Sequence, residues 1–137
     1  MSSKSNYLES ALLSWIKGTT FPVAPATEYI ALFTAAPSDT GGGTEVTGGA
    51  YARASITSTT GWSAISDNAG AGRISNSVAI TFVTPTANWG LVTHFAVMDS
   101  LTVGNQLYWG LVGTSRNILS GDVAPTFAIG TLTIDES

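Results

Sequence analysis

After residue 27 the chain shows no helical periodicity. It breaks into short apolar runs separated by Gly, Pro, Asp and Asn. Runs of that length cannot bury a core alone, so they must pair as strands. Glu28–Ala35 (EYIALFTA) is one such run. Ala50–Thr57 alternates, with Tyr51, Arg53 and Ser55 on one face and Ala52, Ala54 and Ile56 on the other. Ser77–Val83 sets Val78, Ile80 and Phe82 on one face. Gly90–Met98 and Gln106–Val112 follow, joined by a turn at Asp99–Asn105. A short Ile118–Leu119 segment, a turn at Ser120–Asp122 and a last run at Thr126–Ile134 complete the series. Several short strands with turn signals between them predict a sandwich or barrel.

The one helical signal lies at the start. Asn6 can cap it, and Glu9 follows three residues later. Tyr7, Leu8, Ala11, Leu12, Trp15 and Ile16 recur at helical spacing. Lys17 suits the C-terminal end of the helix dipole, and Gly18 supplies the stop. Phe21-Pro22 and Pro25 then impose an extended linker. The fold class is therefore mainly β: a single-domain antiparallel β-sandwich or jelly-roll-like barrel, residues 1–137, with one N-terminal α-helix. The helix takes 6–17, the linker 18–27 and the strands 28–134. The Trp15 face of the helix is expected to dock on the sheet, or to swing on its proline linker onto a partner subunit. Phe33, Ile80, Phe82, Phe95, Leu107, Trp109 and Leu132 are the expected core.

Composition then removes whole classes of chemistry. The chain of 137 residues has no cysteine and one histidine, His94. A disulfide framework, a thiolate zinc site and a HExxH motif are thereby excluded. Nine acids and five bases give a net charge of -4, which leaves no basic footprint for nucleic acid. No apolar run reaches the roughly 20 residues of a membrane helix. Met1–Ser5 lacks the apolar core of a secretory signal, which points to synthesis in a cytoplasm. Only 10% of residues are charged, against about 25% in ordinary soluble domains. A surface so poor in charge implies that neighbours cover much of it.

No catalytic constellation stands out. Gly41–Gly43 lacks the spacing and lysine of a phosphate loop and reads as a flexible hairpin loop. His94 sits mid-strand without a GxSxG elbow and reads as a packed or interface histidine. Asp39, Asp67, Asp99 and Asp122 fall in turns, without the alternation of a calcium loop. Trp62, Trp89 and Trp109 are open to a sugar-stacking role, a core role or an interface role. Trp109 alternates with Leu107 and Leu111, which argues for core; Trp62 lies in a polar loop and is the better interface candidate. The expectation is a protein with no enzymatic activity, no metal and no cofactor.

Three stretches carry a resemblance: NYLESALLSWI (Asn6–Ile16), EYIALFTAAPSDTGGGTEV through GGAYAR (Glu28–Arg53), and ITFVTPTANWGLVTHFAVMDS (Ile80–Ser100) with LYWGL and SGDV after it. They resemble a family of small tailed-bacteriophage virion proteins, whose members are often labelled tail fibre proteins. Similar proteins look like capsid cement or decoration proteins, typically β-rich trimers on the outer shell. The resemblance does not extend through Ser58–Gly72. It implies no catalytic residue.

The resulting expectation is a structural protein that decorates the outer capsid surface and bridges subunits of the major capsid protein as a homotrimer. The alternative is a tail component, a small fibre, tip or collar piece involved in host attachment. A glycan-binding or glycan-processing module is a third reading, weakened by the lack of paired carboxylates. Nucleic acid and membrane are not expected partners. Asp39, Thr44 and Glu45, on a Gly-rich loop (Ala36–Gly49) expected to project, are interface candidates. So are Trp62 and the arginines Arg53, Arg73 and Arg116, whose planar forks suit acidic groups on neighbours.

Overall fold

The computed structural model describes residues 2–137. Its elements, in order, are β1 (Ser2–Lys4), α1 (Asn6–Ile16), β2 (Thr27–Ala35), β3 (Thr44–Glu45), β4 (Ala54–Thr57), β5 (Ser66–Asn68), β6 (Ala71–Ser75), β7 (Ile80–Thr81), β8 (Gly90–Met98), β9 (Gln106–Ile118), β10 (Thr126–Phe127) and β11 (Thr133–Glu136). The fold is a β-sandwich without a closed barrel. One layer is a six-stranded antiparallel sheet in the order β1-β9-β8-β2, with β3 and β4 sharing the far edge of β2. The other layer is built from β11-β6-β5 and the short β10-β7 pair.

Alternation decides which face of the large sheet meets the second layer. Ile30 and Leu32 of β2 point inward with Phe95 and Val97 of β8. They pack on Ile80, Phe82, Leu132 and Ile134 from the other layer. The opposite face carries a smaller cluster of Ala31, Phe33, Ala96 and Met98, flanked by Tyr29 and Trp109. Buried residues on both faces explain why β2 reads as a continuous apolar run.

Two irregularities in β9 shape the edge. Val97 and Met98 of β8 face Tyr108 and Gln106, leaving Leu107 as an extra residue. That bulge breaks the alternation, so Trp109 packs on the outer cluster while Leu107 borders the main core. Further on, Val92 pairs with Arg116 and His94 with Leu111, so Val112–Ser115 swings out of the ladder. An irregular edge of this kind is a poor template for open-ended strand pairing.

The polar strands are the ones that apolar pattern misses. β1 is Ser-Ser-Lys and pairs with Trp109 and its neighbours. β5 and β6 form a hairpin that begins inside the expected Ser58–Gly72 loop and runs on to Ser75, closed at Ala69 and Gly70, both at positive φ. Conversely, Ser77–Val83 contributes only two strand residues, and Thr126–Ile134 divides into β10 and β11.

Helix α1 is capped by Ser5, not Asn6: Leu8 N–H donates to Ser5 Oγ at 3.3 Å, and Asn6 N–H donates to the Asp39 carbonyl. The expected docking of its Trp15 face on the sheet does not occur. Leu8, Ala11 and Ser14 turn toward the body, but no helix residue is buried. Leu13 is 62% exposed, Trp15 58% and Ile16 69%.

Candidate interface surfaces

Two surfaces stand out. The first is an open cavity of about 580 Å³, of mixed polar and apolar lining, between the start of α1, the Ser38–Gly43 turn and the loop after β8. Asp39, Glu45 and Arg53 line it, with Tyr7, Asn105 and Gln106. The structure thus brings together three of the residues picked out from sequence. Thr44 stands beside them on β3, its carbonyl 3.4 Å from Thr34 Oγ1. Trp62, Arg73 and Arg116 lie elsewhere.

The wall of this cavity is an ion pair. Arg53 Nε and Nη2 donate to the two carboxylate oxygens of Glu45, each at 2.8 Å. Arg53 Nη1 donates to the carbonyls of Ser100 and Val103, also at 2.8 Å. The Glu45 hydrogen bonds raise the arginine's affinity for its proton against the cost of its own burial. Tyr51 completes the cluster, accepting from Leu32 N–H and donating to Glu45. Burial pushes the Tyr51 hydroxyl far above its ordinary range; the Leu32 N–H works against that rise and the Glu45 charge adds to it. Tyr51 therefore remains a neutral donor.

The Gly-rich loop does not project freely. Ser38 and Gly41 exchange backbone hydrogen bonds at 2.9 Å. The Ser38 carbonyl accepts from Gln106, and Asp39 Oδ1 accepts from Trp109 Nε1 at 2.9 Å. These tethers hold the loop against the fold's own β9 and α1.

All three arginines expected to reach neighbours find an acid in their own chain. Arg53 takes Glu45. Arg73 takes Asp135 with a two-pronged contact between β6 and β11. Arg116 is the most open, 3.8 Å from Asp122. Trp62 is half-buried against the main core, its Nε1 3.2 Å from Glu28, rather than displayed on a free loop. Arg73 and Trp62 take partners distant in sequence, and Arg53 and Arg116 take partners across a turn, pairings that spacing alone does not reveal.

A family model described as Podophage GP4 fiber I protein gp80 matches residues 3–135. The chain belongs to that family. No curated protein matches it. As a member of the gp80 family, it is a phage structural protein of the virion. The gp80 match runs through Ser58–Gly72, the stretch that the sequence resemblance left out.

The second surface includes the helix face expected to dock on the sheet or on a partner subunit. On this gp80-family fold, α1 and the linker after it present Leu12, Leu13, Trp15, Ile16 and Val23 to solvent. The signal was in the sequence: the helix is apolar on more than one side, a pattern that calls for cover all round. Neither surface holds a paired nucleophile and base. Both offer contact area, the first mixed in polarity and built around an ion pair, the second apolar.

Proposed function

We propose that the chain is a subunit of a virion fibre, a tail component involved in host attachment, and that it works by contact rather than catalysis. The carrying observation is the family match over residues 3–135, whose description names a fibre. This favours the tail alternative over decoration of the outer capsid surface. Size adds a constraint. A chain of 137 residues without an internal repeat cannot form a long shaft alone, so it serves as a short fibre, tip or collar unit joined to others.

The physical design fits such a role. Four ion pairs, Lys4–Glu136, Arg53–Glu45, Arg73–Asp135 and Arg116–Asp122, consume most of the charge within the chain. The surface left over carries few charges, mostly acids that keep the net -4, and is partly apolar, which lowers the desolvation cost of contact with neighbouring subunits. Several copies engaged at once would multiply a modest contact into firm attachment.

Location on the virion tests the reading. Antibody labelling of intact particles should mark the tail region in few copies. Virions lacking the protein should keep their heads' thermal stability and lose adsorption. Labels spread over the head, with heads that release DNA at lower temperature when the protein is missing, would overturn it. Pure protein should leave host polysaccharide and peptidoglycan intact.

A further inference from the structure

We propose that the cavity beside α1 is a binding site for a neutral sugar unit of a surface glycan. The proposal rests on the attachment reading for where such a glycan comes from. The chemistry comes from the cavity itself.

The donors in its walls are already spent. Arg53 commits Nε and Nη2 to Glu45 and Nη1 to two carbonyls. Gln106 is buried and donates Nε2 to the Ser38 carbonyl at 2.8 Å. Asn105 donates Nδ2 to Asp99 at 2.8 Å. Carbonyl and carboxylate oxygens only accept, so both amides are fixed in orientation and each keeps its oxygen as an acceptor. Asp39 adds a carboxylate. It takes Trp109 Nε1 on Oδ1 and, among the described residues, belongs to no ion pair. A ligand that fills this space must bring the donors.

Charge narrows the class. Asp39 and Glu45 against Arg53 leave two carboxylates facing one guanidinium, which repels an acidic ligand. Hydroxyl groups suit the acceptors, and a hydroxyl bonded to a carboxylate forms the stronger, charge-assisted kind of hydrogen bond. The lining is also apolar in part. Phe33 and Met98 of the outer cluster contribute to it, and Tyr7 beside them is 38% exposed. The Tyr7 ring offers an apolar face with a polar tip. A ligand with hydroxyls on its edge and C–H groups on its face is a sugar ring. The volume of about 580 Å³ lies within the range of small-molecule sites, about 300–1,000 Å³.

The backbone is open to such a ring. Gly41 and Gly42 line the cavity, and a Cβ at either would meet nothing within 4 Å. Bare main chain of this kind admits close approach by a ligand. Tyr7 also lines a second cavity, of about 410 Å³, with Phe21 and Pro22. Two adjoining spaces share one aromatic ring, so the site takes more than one sugar unit. The tryptophans that the sequence offers as stacking platforms are otherwise engaged: Trp89 is buried, while Trp62 and Trp109 bond to Glu28 and Asp39.

Amide NMR on the isotope-labelled full chain tests the site. The probes are glucose, galactose, rhamnose and N-acetylglucosamine, with glucuronate as the acidic control and lysine amide as the cationic one. Signals of Tyr7, Gly41–Gly43 and Gly104–Gln106 should shift with a neutral sugar at a Kd of about 1 mM. A disaccharide of the preferred sugar should bind roughly tenfold more tightly. Shifts confined to other residues, or none at concentrations well above that Kd, would overturn the proposal. So would glucuronate or lysine amide binding as tightly as every neutral sugar.

Two variants supply the second arm. Asp39→Asn keeps an acceptor for Trp109 but loses the charge, and should weaken sugar binding roughly tenfold. Tyr7→Ala should do the same, while Tyr7→Phe retains the ring and most of the affinity. Full affinity in both Asp39→Asn and Tyr7→Ala would sink the idea; thermal midpoints on each variant separate a lost site from a lost fold. The location experiment remains independent. Sugar binding in this cavity by a protein that labels the head would overturn the fibre reading and leave the site standing. A tail label with no sugar bound would do the reverse.

Discussion

Arg53 Nη1 donates to the carbonyl of Val103 at 2.8 Å, and Val103 sits at φ 55°. That region penalises a β-branched residue severely. The loop between β8 and β9 is therefore held in a strained turn by an arginine rooted 50 residues earlier. Three devices share the load: the arginine on two carbonyls, Asp99 accepting from Asn105 N–H at 2.7 Å, and Gly104, where a Cβ would collide with Asp99 Oδ1.

Replacing Arg53 should release that turn. Arg53→Ala leaves Glu45 half-buried without its cation and frees two carbonyls, a loss of about 2–3 kcal/mol by the cost of breaking a largely buried pair. Arg53→Lys keeps the charge but not the fork, so it should recover less than half of that loss. Denaturant midpoints measure both. Hydrogen exchange at residues 99–105 should quicken in each variant.

Val103 itself predicts a gain. Its side chain is exposed, so truncation removes no packing. Val103→Gly should stabilise the fold by about 0.5–1 kcal/mol, the relief of positive-φ strain less the extra backbone entropy of glycine. A lower midpoint in chemical denaturation would show that the turn stores no strain.

Two neighbouring glycines should behave differently. At Gly43, with φ 74°, a Cβ would fall 2.7 Å from Pro37 N and 2.8 Å from the Ala35 carbonyl. At Gly41, with φ 89°, nothing lies within 4 Å. Gly41→Ala meets only the conformational penalty, about 1 kcal/mol. Gly43→Ala adds a backbone collision and should cost at least twice as much. Thermal unfolding of the pair compares them directly.

The core predicts a similar contrast. Phe82 is buried and packs on Tyr51 and Phe127, so Phe82→Ala should cost about 3–5 kcal/mol. Trp109 is half-buried on the outer face, so Trp109→Ala should cost about 2 kcal/mol, with the loss of its bond to Asp39 included. Equal losses would mean that Trp109 is a core residue after all.

That contrast also marks how far the sequence could be read. The alternation of Ile80 and Phe82, and the apolar runs of β2 and β8, identify the sandwich and most of its core, because burial imposes period two on any strand with one dry face. Leu107 and Trp109 defeat the same reading, since a single bulged residue reverses phase and leaves no mark in composition. β1 and β5 are polar strands held by backbone and side-chain hydrogen bonds rather than apolar burial, so hydrophobic pattern says nothing of them. The arginine candidates show the matching limit for sites. Residue type correctly suggests two-pronged pairing with carboxylates, but only the fold shows that Glu45 and Asp135 already occupy Arg53 and Arg73. The exposed helix was legible as amphipathic, and its orientation was not, because apolar residues occupy more than one of its sides.

The last prediction concerns acid. β11 is clipped to the rest of the fold by two carboxylates. The Arg73 contact holds the Asp135 carboxyl below its ordinary value of 3.8, more than offsetting the opposing effect of burial. Burial pushes Glu136 upward, but hydrogen bonds from Lys4 and Tyr108 outweigh it and leave the carboxyl below 4.5. Both groups therefore bind protons less readily in the folded chain than in the unfolded one. The unfolded state takes up more protons as pH falls, so the folded state loses stability in that direction. The contribution is complete above about pH 4.5 and is lost as pH drops through the lowered folded values. Because both pairs are partly solvated, salt should weaken the effect. Unfolding midpoints should fall steeply below pH 4.5 in the wild type and less steeply in Glu136→Gln. Hydrogen exchange should show β11 and β1 opening first, because Ser2 Oγ binds both the carbonyl and the N–H of Asp135. If those strands stay protected while the midpoint falls, the acid-sensitive carboxylates lie elsewhere in the fold.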